Sequence, residues 1–472
     1  MTSALECDLC VIGAGSAGLS VAVGAAQLGA RTVLFERGEM GGECLNYGCV
    51  PSKALLAAAH TAQTIADAGR FGIHAGSPQV DFPAVMTHVR EVIAQIAPHD
   101  SAERLEKLGV RVIRAAAAFT GRDALSGGGV RVRARRFVIA TGSSARLPPI
   151  PGIEAVPVLT NEALFSLKER PGHLLIVGGG PIGVEMAQAF RRLGSAVTLF
   201  QRGRLLPHDE PELVGMLRER LAAAGIAVHE GAQISGIAPC AGGIVVTAAE
   251  NIEAVGSHLL VAAGRQPRVA GLALERAGVA YAPHGIRVDA RLRTSNRRIY
   301  ALGDVIGRPQ FTHTAGYQAG VLIRNALFRL PAKVDYRALP WVTYTDPELA
   351  QVGLTERQAR ERFGPAVRVV EVDLADNDRA RAGRQTTGRI KVVTDRRGTV
   401  LGAGILGPQA GELIPLWGLA ITRRLRLSAL TGVIFPYPTL AEISKAAASA
   451  FYAPKLFSPG PRRLVRLLRS LA

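Results

Sequence analysis

A strand, glycine loop, helix and second strand occur twice in this chain, 165 residues apart and in register without a gap. In the first copy an apolar run over residues 8–14 leads into Gly13-Ala14-Gly15-Ser16-Ala17-Gly18. An alanine-rich helix to Leu28, a turn at Gly29 and the strand Thr32-Val33-Leu34-Phe35 follow, ending at Glu36. In the second copy Leu174 to Val177 is the strand and Gly178-Gly179-Gly180-Pro181-Ile182-Gly183 the loop. A helix to Leu193, a turn at Gly194 and the strand Val197-Thr198-Leu199-Phe200 complete it. A lone G-x-G-x-x-G is a weak signal. With a strand before it, a helix after it and an acid about twenty residues on, it predicts a turn whose backbone approaches a pyrophosphate at a helix N-terminus. Two copies predict an α/β protein that binds two dinucleotides.

The register exposes one chemical difference. Glu36 is placed to accept hydrogen bonds from an adenosine ribose, but it falls on Gln201, and Glu39 falls on Arg204. A 2′-phosphate repels a carboxylate and attracts arginine, so the second site is expected to prefer NADP(H) to NAD(H). Arg202 belongs to the same loop, although its counterpart Arg37 exists in the first copy.

A few residues after the first unit comes Gly41-Gly42-Glu43-Cys44-Leu45-Asn46-Tyr47-Gly48-Cys49-Val50-Pro51-Ser52-Lys53, which runs into an alanine- and leucine-rich helix. It holds two of only five cysteines, spaced C-x4-C. Thiols at the mouth of a helix favour the thiolate, because free N–H groups and the helix dipole stabilise negative charge. Redox exchange and a pair of buried structural cysteines are both compatible with the spacing alone. Cys7 and Cys10 form a C-x-x-C inside a strand-like run, where a separation of three is expected to put them on opposite faces. Cys240 stands alone and is expected to be inert.

The remaining totals bound the class. At 472 residues the length suggests roughly three domains. No charge-free apolar run of membrane-spanning length appears, and the start, Met1-Thr2-Ser3-Ala4-Leu5-Glu6, lacks a basic leader and reads as a buried strand. Few cysteines, odd in number, argue against a secreted disulfide framework and for a cytoplasmic protein. The net charge of +18 is mostly arginine spread along the chain, with no recognition helix or zinc-finger spacing, so nucleic acid is not expected as a partner. Helices are expected from Phe82 to Ile96 and Ser101 to Leu108. Phe137 to Gly142 reads as a strand and tight turn, echoed by Leu259 to Gly264. Ile299 to Asp304 is a strand with an acid at the end where open α/β sheets bind ligands. The Pro-rich stretch from Pro148 to Pro157 marks the crossing into the second nucleotide domain. From Trp341 the pattern becomes α+β, without a phosphate loop.

These motifs together resemble the flavin-dependent pyridine nucleotide–disulfide oxidoreductases, of the mercuric reductase-like and dihydrolipoyl dehydrogenase-like branch, over essentially the whole chain. The stretch from Gly41 to Lys53 is similar to the family's redox-active disulfide motif. Thr294 to Asp304 is similar to its second FAD motif, and Pro340 to Thr355 to the opening of its dimerisation domain. The resemblance implies two Rossmann-like dinucleotide-binding domains, for FAD and NAD(P), plus a C-terminal α+β dimerisation domain. Residues 1–150 and 271–338 would bind FAD, 151–270 the nicotinamide nucleotide, and 339–472 would form the homodimer. It further implies FAD contacts at Gly13, Gly15, Gly18, Glu36 and Asp304. The second nucleotide would be held at Gly178, Gly180 and Gly183 with Arg202 and Arg204. Arg37, Gly42, Thr141, Gly142, Gly264 and His313 join the cofactor-binding candidates. Cys49 would lie near the flavin and Cys44 would face substrate. Lys53 would sit near the flavin and pair with Glu185. The two thiols would then have low pKa values and relay electrons to a small-molecule or protein disulfide, or to a metal ion; no resident metal is expected.

One departure matters. Thiol-reducing members carry a His as proton carrier before Pro-Thr and a later Glu. Here the segment is Phe435-Pro436-Tyr437-Pro438-Thr439-Leu440-Ala441-Glu442, with Tyr437 in the place of that His and Glu442 retained. A phenol of pKa near 10 is a poor base at neutral pH. Tyr437 resembles the mercuric reductase-like branch, yet no cysteine follows Cys240 to deliver metal. Metal-ion reduction, dihydrolipoyl dehydrogenase activity and, from another class, a slowly turning redox-responsive protein at a membrane surface all remain open. The last stretch, 461–472, reads as a basic amphipathic helix. It is expected to pack its leucines on the protein, with weak contact to an anionic membrane as the alternative.

Overall fold

The computed structural model describes residues 5–249, 252–307 and 309–470. They divide into two compact units, one of Met1–Gly178, Ala189–Arg202 and Ala232–Val334, the other of Gly179–Gln188, Gly203–Gly231 and Asp335–Ala472.

The first unit is built on a seven-stranded sheet. The strands Val110–Ile113, Thr32–Phe35, Leu5–Ile12 and Val130–Ile139 run parallel in that order, and Ile299–Ala301 pairs parallel with Val130–Ile139. The carboxyl-terminal halves of the central strands, Leu9–Ile12 and Phe137–Ile139, are wholly apolar and buried because both faces are covered there. One face packs Ile12, Phe35, Phe119 and Phe137. The other packs Leu9, Val11 and Leu34 under the helices Ser16–Gln27 and Thr312–Ala326.

The repeat is visible atom for atom. Gly13 N donates to Phe35 O at 2.8 Å and Gly178 N to Phe200 O at 2.9 Å; Ala140 N donates to Ile12 O and Ala262 N to Val177 O, both at 2.8 Å. In the second copy Ala196–Gln201, His173–Val177 and His258–Val261 run parallel. The helices expected from residues 82 and 101 form as Phe82–Ile96 and Ala102–Lys107, the latter capped by Ser101.

The expectation for Cys7 and Cys10 fails. Both belong to the same buried cluster as Ile12, whereas Leu9 and Val11 face the other way. Asp8 N and Leu9 N both donate to Arg31 O, at 2.9 and 3.2 Å, and pairing with Val130–Ile139 passes from Cys7–Ala134 to Leu9–Arg136, so the strand is irregular at Asp8. The alternation is broken there, and the two cysteines share one face. They remain core residues, at 4% and 0% exposure, and burial pushes the Cys10 thiol up.

The second unit carries a five-stranded antiparallel sheet in the order Pro340–Thr343, Glu348–Gly353, Val400–Gly407, Arg389–Thr394, Arg368–Asp373. Trp417 on the helix Ala410–Thr422 fills its core and donates to Ser444 Oγ. Lys391, 1% exposed, lies among Glu356 at 2.7 Å, Glu212 at 3.0 Å, Glu210 at 3.4 Å and Glu371 at 3.7 Å. The expected C-terminal helix spans Pro459–Ser470, but its leucines do not pack on the chain. Leu464, Val465, Leu467 and Leu468 are more than half exposed among the described residues. Leu471 and Ala472 lie outside the described residues, as do Met1 to Ala4. Among the described residues no helix is long and apolar enough to cross a membrane.

Candidate active site

The carboxyl ends of three adjoining strands place Gly13, Thr141 and Asp304 along one edge of the first sheet. A Cβ on Gly13, at φ +104°, would lie 2.4 Å from Ala140 O, and one on Gly18 would strike Gly13 O. The strand, loop and helix can therefore approach only with glycine there. Gly15 differs: a Cβ would meet only Gly42 Cα, at 3.9 Å, so the loop mouth is open. That cradle, with a helix N-terminus beneath it, fits a pyrophosphate. Glu36 closes the loop, accepting from Ala14 N and Gly38 N. Arg37 beside it is exposed. Thr141 Oγ1 donates to Arg268 O at 2.7 Å, and Gly142 accepts from Arg268 N at 2.9 Å.

The redox stretch is stitched to this cradle. Gly41 N donates to Ala14 O at 3.0 Å. Gly42, at φ +60°, comes so close that a Cβ would lie 2.7 Å from Gly15 Cα. Cys44 is in the short helix Gly42–Asn46 and Cys49 opens the helix Cys49–Asp67, with Lys53 in its next turn. Cys44 is half-buried and Cys49 exposed. Cys49 Sγ is 3.4 Å from Thr312 Oγ1 at the start of the helix Thr312–Ala326. The expectation of two low pKa values does not hold for Cys44. Its hydrogen bond with Cys49 and then its burial push the thiol well above its ordinary value, while Thr312 and Ser16 oppose the shift weakly.

A buried polar chain ties the redox helix to the strand ends. Arg265 Nη2 grips the Glu43 carboxylate, and Arg265 Nε reaches Ser143 Oγ at 2.8 Å and Asp304 Oδ2 at 3.3 Å. Ser143 Oγ donates to Asp304 Oδ2 at 2.6 Å, and Asn161 Nδ2 to Glu43 Oε1 at 2.8 Å. Glu43, the residue beside Cys44, is thus coupled to the acid at the end of Ile299–Ala301. His313 is exposed and stacks on Phe311, with ring centroids 5.2 Å apart.

Residues assigned to the second nucleotide fall in both units: Gly178, Arg202 and Gly264 in the first, Gly180, Gly183 and Arg204 in the second. Arg202 and Arg204 are exposed. Glu185, 3% exposed, accepts from Tyr344 N at 2.9 Å within the second unit, whereas Lys53 belongs to the first. Also in the second unit, Tyr437 is 71% exposed and its hydroxyl donates to Asp378 Oδ2 at 3.1 Å. That hydrogen bond, reinforced by the Asp378 charge, raises the phenol above its ordinary pKa. Glu442 does not take up Tyr437 directly; its Oε2 accepts from Thr439 N at 3.2 Å. Asn377 Nδ2 donates to Thr439 O at 3.0 Å, so both Asn377 and Asp378 hold this segment.

Sequence reasoning passed over Thr312, Arg265, Glu43, Asn161 and Asp378. The available signals were the position of Thr312 beside His313 and of Arg265 directly after Gly264.

Three comparisons bear on these sites. Residues 7–319 match the family described as pyridine nucleotide-disulphide oxidoreductase, and residues 339–448 match its dimerisation domain. The chain is 38% identical to a mercuric reductase of Streptomyces lividans, over 94% of this chain and 96% of that protein. It is 33% identical to a dihydrolipoyl dehydrogenase of Bacillus subtilis, over 92% and 96%. Among solved structures, the Cu(II) complex of the HOCl-induced flavoprotein disulfide reductase RclA from Escherichia coli superposes with a TM-score of 0.85 at 31% identity. That match covers 94% of this chain and 99% of that one.

Proposed function

The chain belongs to the pyridine nucleotide-disulphide oxidoreductase family, as an FAD-dependent enzyme serving a disulfide or metal-ion acceptor, and we propose that its acceptor is a soft metal ion held by Cys44 and Cys49. The observation that carries this choice is the hydrogen bond from Tyr437 to Asp378. A phenol already holds its proton at neutral pH, and this hydrogen bond raises it further, so the segment offers no base. Reducing a disulfide through Cys44 requires its proton to be removed and returned. A thiophilic cation displaces that proton by itself.

In this reading Gly13, Gly15, Gly18, Glu36, Arg37, Gly42, Thr141, Gly142, Asp304 and His313 hold FAD. The residues Gly178, Gly180, Gly183, Arg202, Arg204 and Gly264 hold the nicotinamide nucleotide, as NADP(H) in preference to NAD(H). Bound FAD supplies the hydride and two-electron chemistry that no side chain performs. The Cys44–Cys49 disulfide takes up two electrons and one proton, and its S–S bond breaks. Cys44 retains the proton and Cys49 is the thiolate, at the first turn of a 19-residue helix whose N–H groups favour negative charge. A two-coordinate soft ion then binds both sulfurs as the Cys44 proton leaves to solvent. When the ion takes up an electron pair, both sulfur–metal bonds break, one proton returns, and the thiol–thiolate pair is restored. The match to the dimerisation domain, with exposed Val433, Ile434 and Tyr437, supports a homodimer.

Steady-state NADPH oxidation with Hg(II) and excess small thiol, against oxidised lipoamide and oxidised glutathione, tests the choice. Turnover with Hg(II) at least about tenfold faster is expected, a barrier difference of roughly 1.4 kcal/mol. Faster turnover of either disulfide overturns it.

A further inference from the structure

The helix Pro459–Ser470 follows the residues 339–448 that match the dimerisation domain. At 3.6 residues per turn its side chains separate completely. Pro461, Leu464, Val465, Leu467 and Leu468 fall on one arc, and Arg462, Arg463, Arg466 and Arg469 on the other. The four aliphatic side chains are each 54–57% exposed. Leu456 and Phe457, 60% and 63% exposed, continue the apolar surface just before the helix. No acidic residue lies between Pro459 and Ser470.

We infer that this helix docks in the plane of an anionic phospholipid surface, its aliphatic arc among the acyl chains and its arginines on the headgroups. Two physical terms combine. Burying the aliphatic face is favourable wherever it occurs, and by itself does not choose an occupant. The charge chooses: four arginines flank the apolar arc on both sides with no carboxylate between them, which complements a sheet of phosphates. The net charge of the whole chain, +18, adds attraction of the same sign. The competing occupant is a second copy of the helix. Laid face to face, two copies would cover their aliphatic arcs but leave all their arginines on the outer arcs with no carboxylate in either helix, whereas a phosphate surface supplies the counter-charge. A lone helix of this size gives reversible binding, and two in a dimer act together on one surface.

Co-sedimentation of the full-length FAD-loaded protein with vesicles tests this. The probes are phosphatidylcholine alone and phosphatidylcholine mixed with phosphatidylglycerol, each at low and high salt. Binding is expected to the mixed vesicles only, and to fall at high salt as the headgroup charge is screened. Each of Arg466→Gln and Arg469→Gln is expected to lower partitioning about fivefold. The paired change Leu467→Ser with Leu468→Ser is expected to abolish binding. Flavin absorbance and NADPH oxidation report that every variant is folded, and the arginine variants test the idea even if the serine variant is not. Equal binding to neutral vesicles, no binding to either, or binding indifferent to these substitutions overturns the inference. So does a serine variant that becomes monomeric by light scattering while the unaltered protein ignores vesicles, which would make the helix an element of the dimer.

Discussion

The Tyr437 hydroxyl donates to the Asp378 carboxylate at 3.1 Å, across 59 positions of sequence. This contact turns an exposed phenol into a group that holds its proton above its ordinary pKa of 10.0. Tyr437→Phe is expected to slow acceptor turnover by about a hundredfold, the usual scale for losing a positioned proton donor. Reduction of the enzyme by nicotinamide nucleotide should be unchanged. Asp378→Asn removes the charge that opposes ionisation of the phenol, so the basic limb of the kcat/KM profile is expected to move to lower pH. A limb that stays in place would assign Asp378 to the fold alone.

Gly42 is the point where the redox helix touches the nucleotide loop. In Gly42→Ala the new Cβ meets the Gly15 backbone at 2.7 Å, and neither segment can yield without opening the cradle. Added to the strain of a positive φ, the overlap is expected to cost about 2–3 kcal/mol. The purified variant should carry substoichiometric flavin, read from the ratio of flavin to protein absorbance. Full occupancy would contradict the stitched geometry.

Arg265 is the only member of its chain that touches Glu43 and Asp304 together among the contacts described. Arg265→Met leaves the Glu43 carboxylate, in a side chain 20% exposed, without its cation. Losing one partner of such a pair costs about 3–5 kcal/mol when fully buried, and less here because water reaches both groups. The expected result is slower reduction of the disulfide. Arg265→Lys should rescue it poorly, because an ammonium cannot span both carboxylates as a guanidinium does.

A second set of charges sets stability. Asp209 accepts from Trp341 Nε1 at 2.8 Å, and burial raises its carboxyl to about 7. Its folded pKa therefore lies above the ordinary 3.8. Between these values the unfolded chain has released a proton that the folded chain still holds, so this group's contribution falls as pH rises towards 7. Asp209→Asn is expected to flatten that slope in urea unfolding and to stabilise the protein at about pH 8 by a few kcal/mol. An unchanged slope would remove Asp209 from the account.

The two glycine loops were legible because their chemistry is local: each needs glycines at fixed spacing between a strand and a helix. The same holds for the C-x4-C stretch, whose neighbours Gly41 and Gly42 meet the loop directly. The irregularity at Asp8 was not legible, since it is set by the hydrogen bonds to Arg31 and not by the run of apolar residues. Periodicity assigned Cys7 to the wrong face for that reason. Arg265 and Glu43 lie 222 positions apart, and no spacing rule connects them. Helix dipoles predicted an easily ionised pair of thiols, but the hydrogen bond with Cys49 and burial push the Cys44 thiol up. The terminal helix was read correctly as amphipathic; which surface its leucines meet is a tertiary property, and among the described residues they stay exposed.

The central claim is that Cys44 and Cys49 stand between the nicotinamide nucleotide and the acceptor. Anaerobic titration of the FAD-loaded enzyme with NADPH and NADH in parallel, followed by flavin absorbance, tests it most directly. A long-wavelength charge-transfer band is predicted to persist in Cys44→Ala, to vanish in Cys49→Ala, and to form with less NADPH than NADH. Acceptor turnover that survives loss of both cysteines would contradict the account.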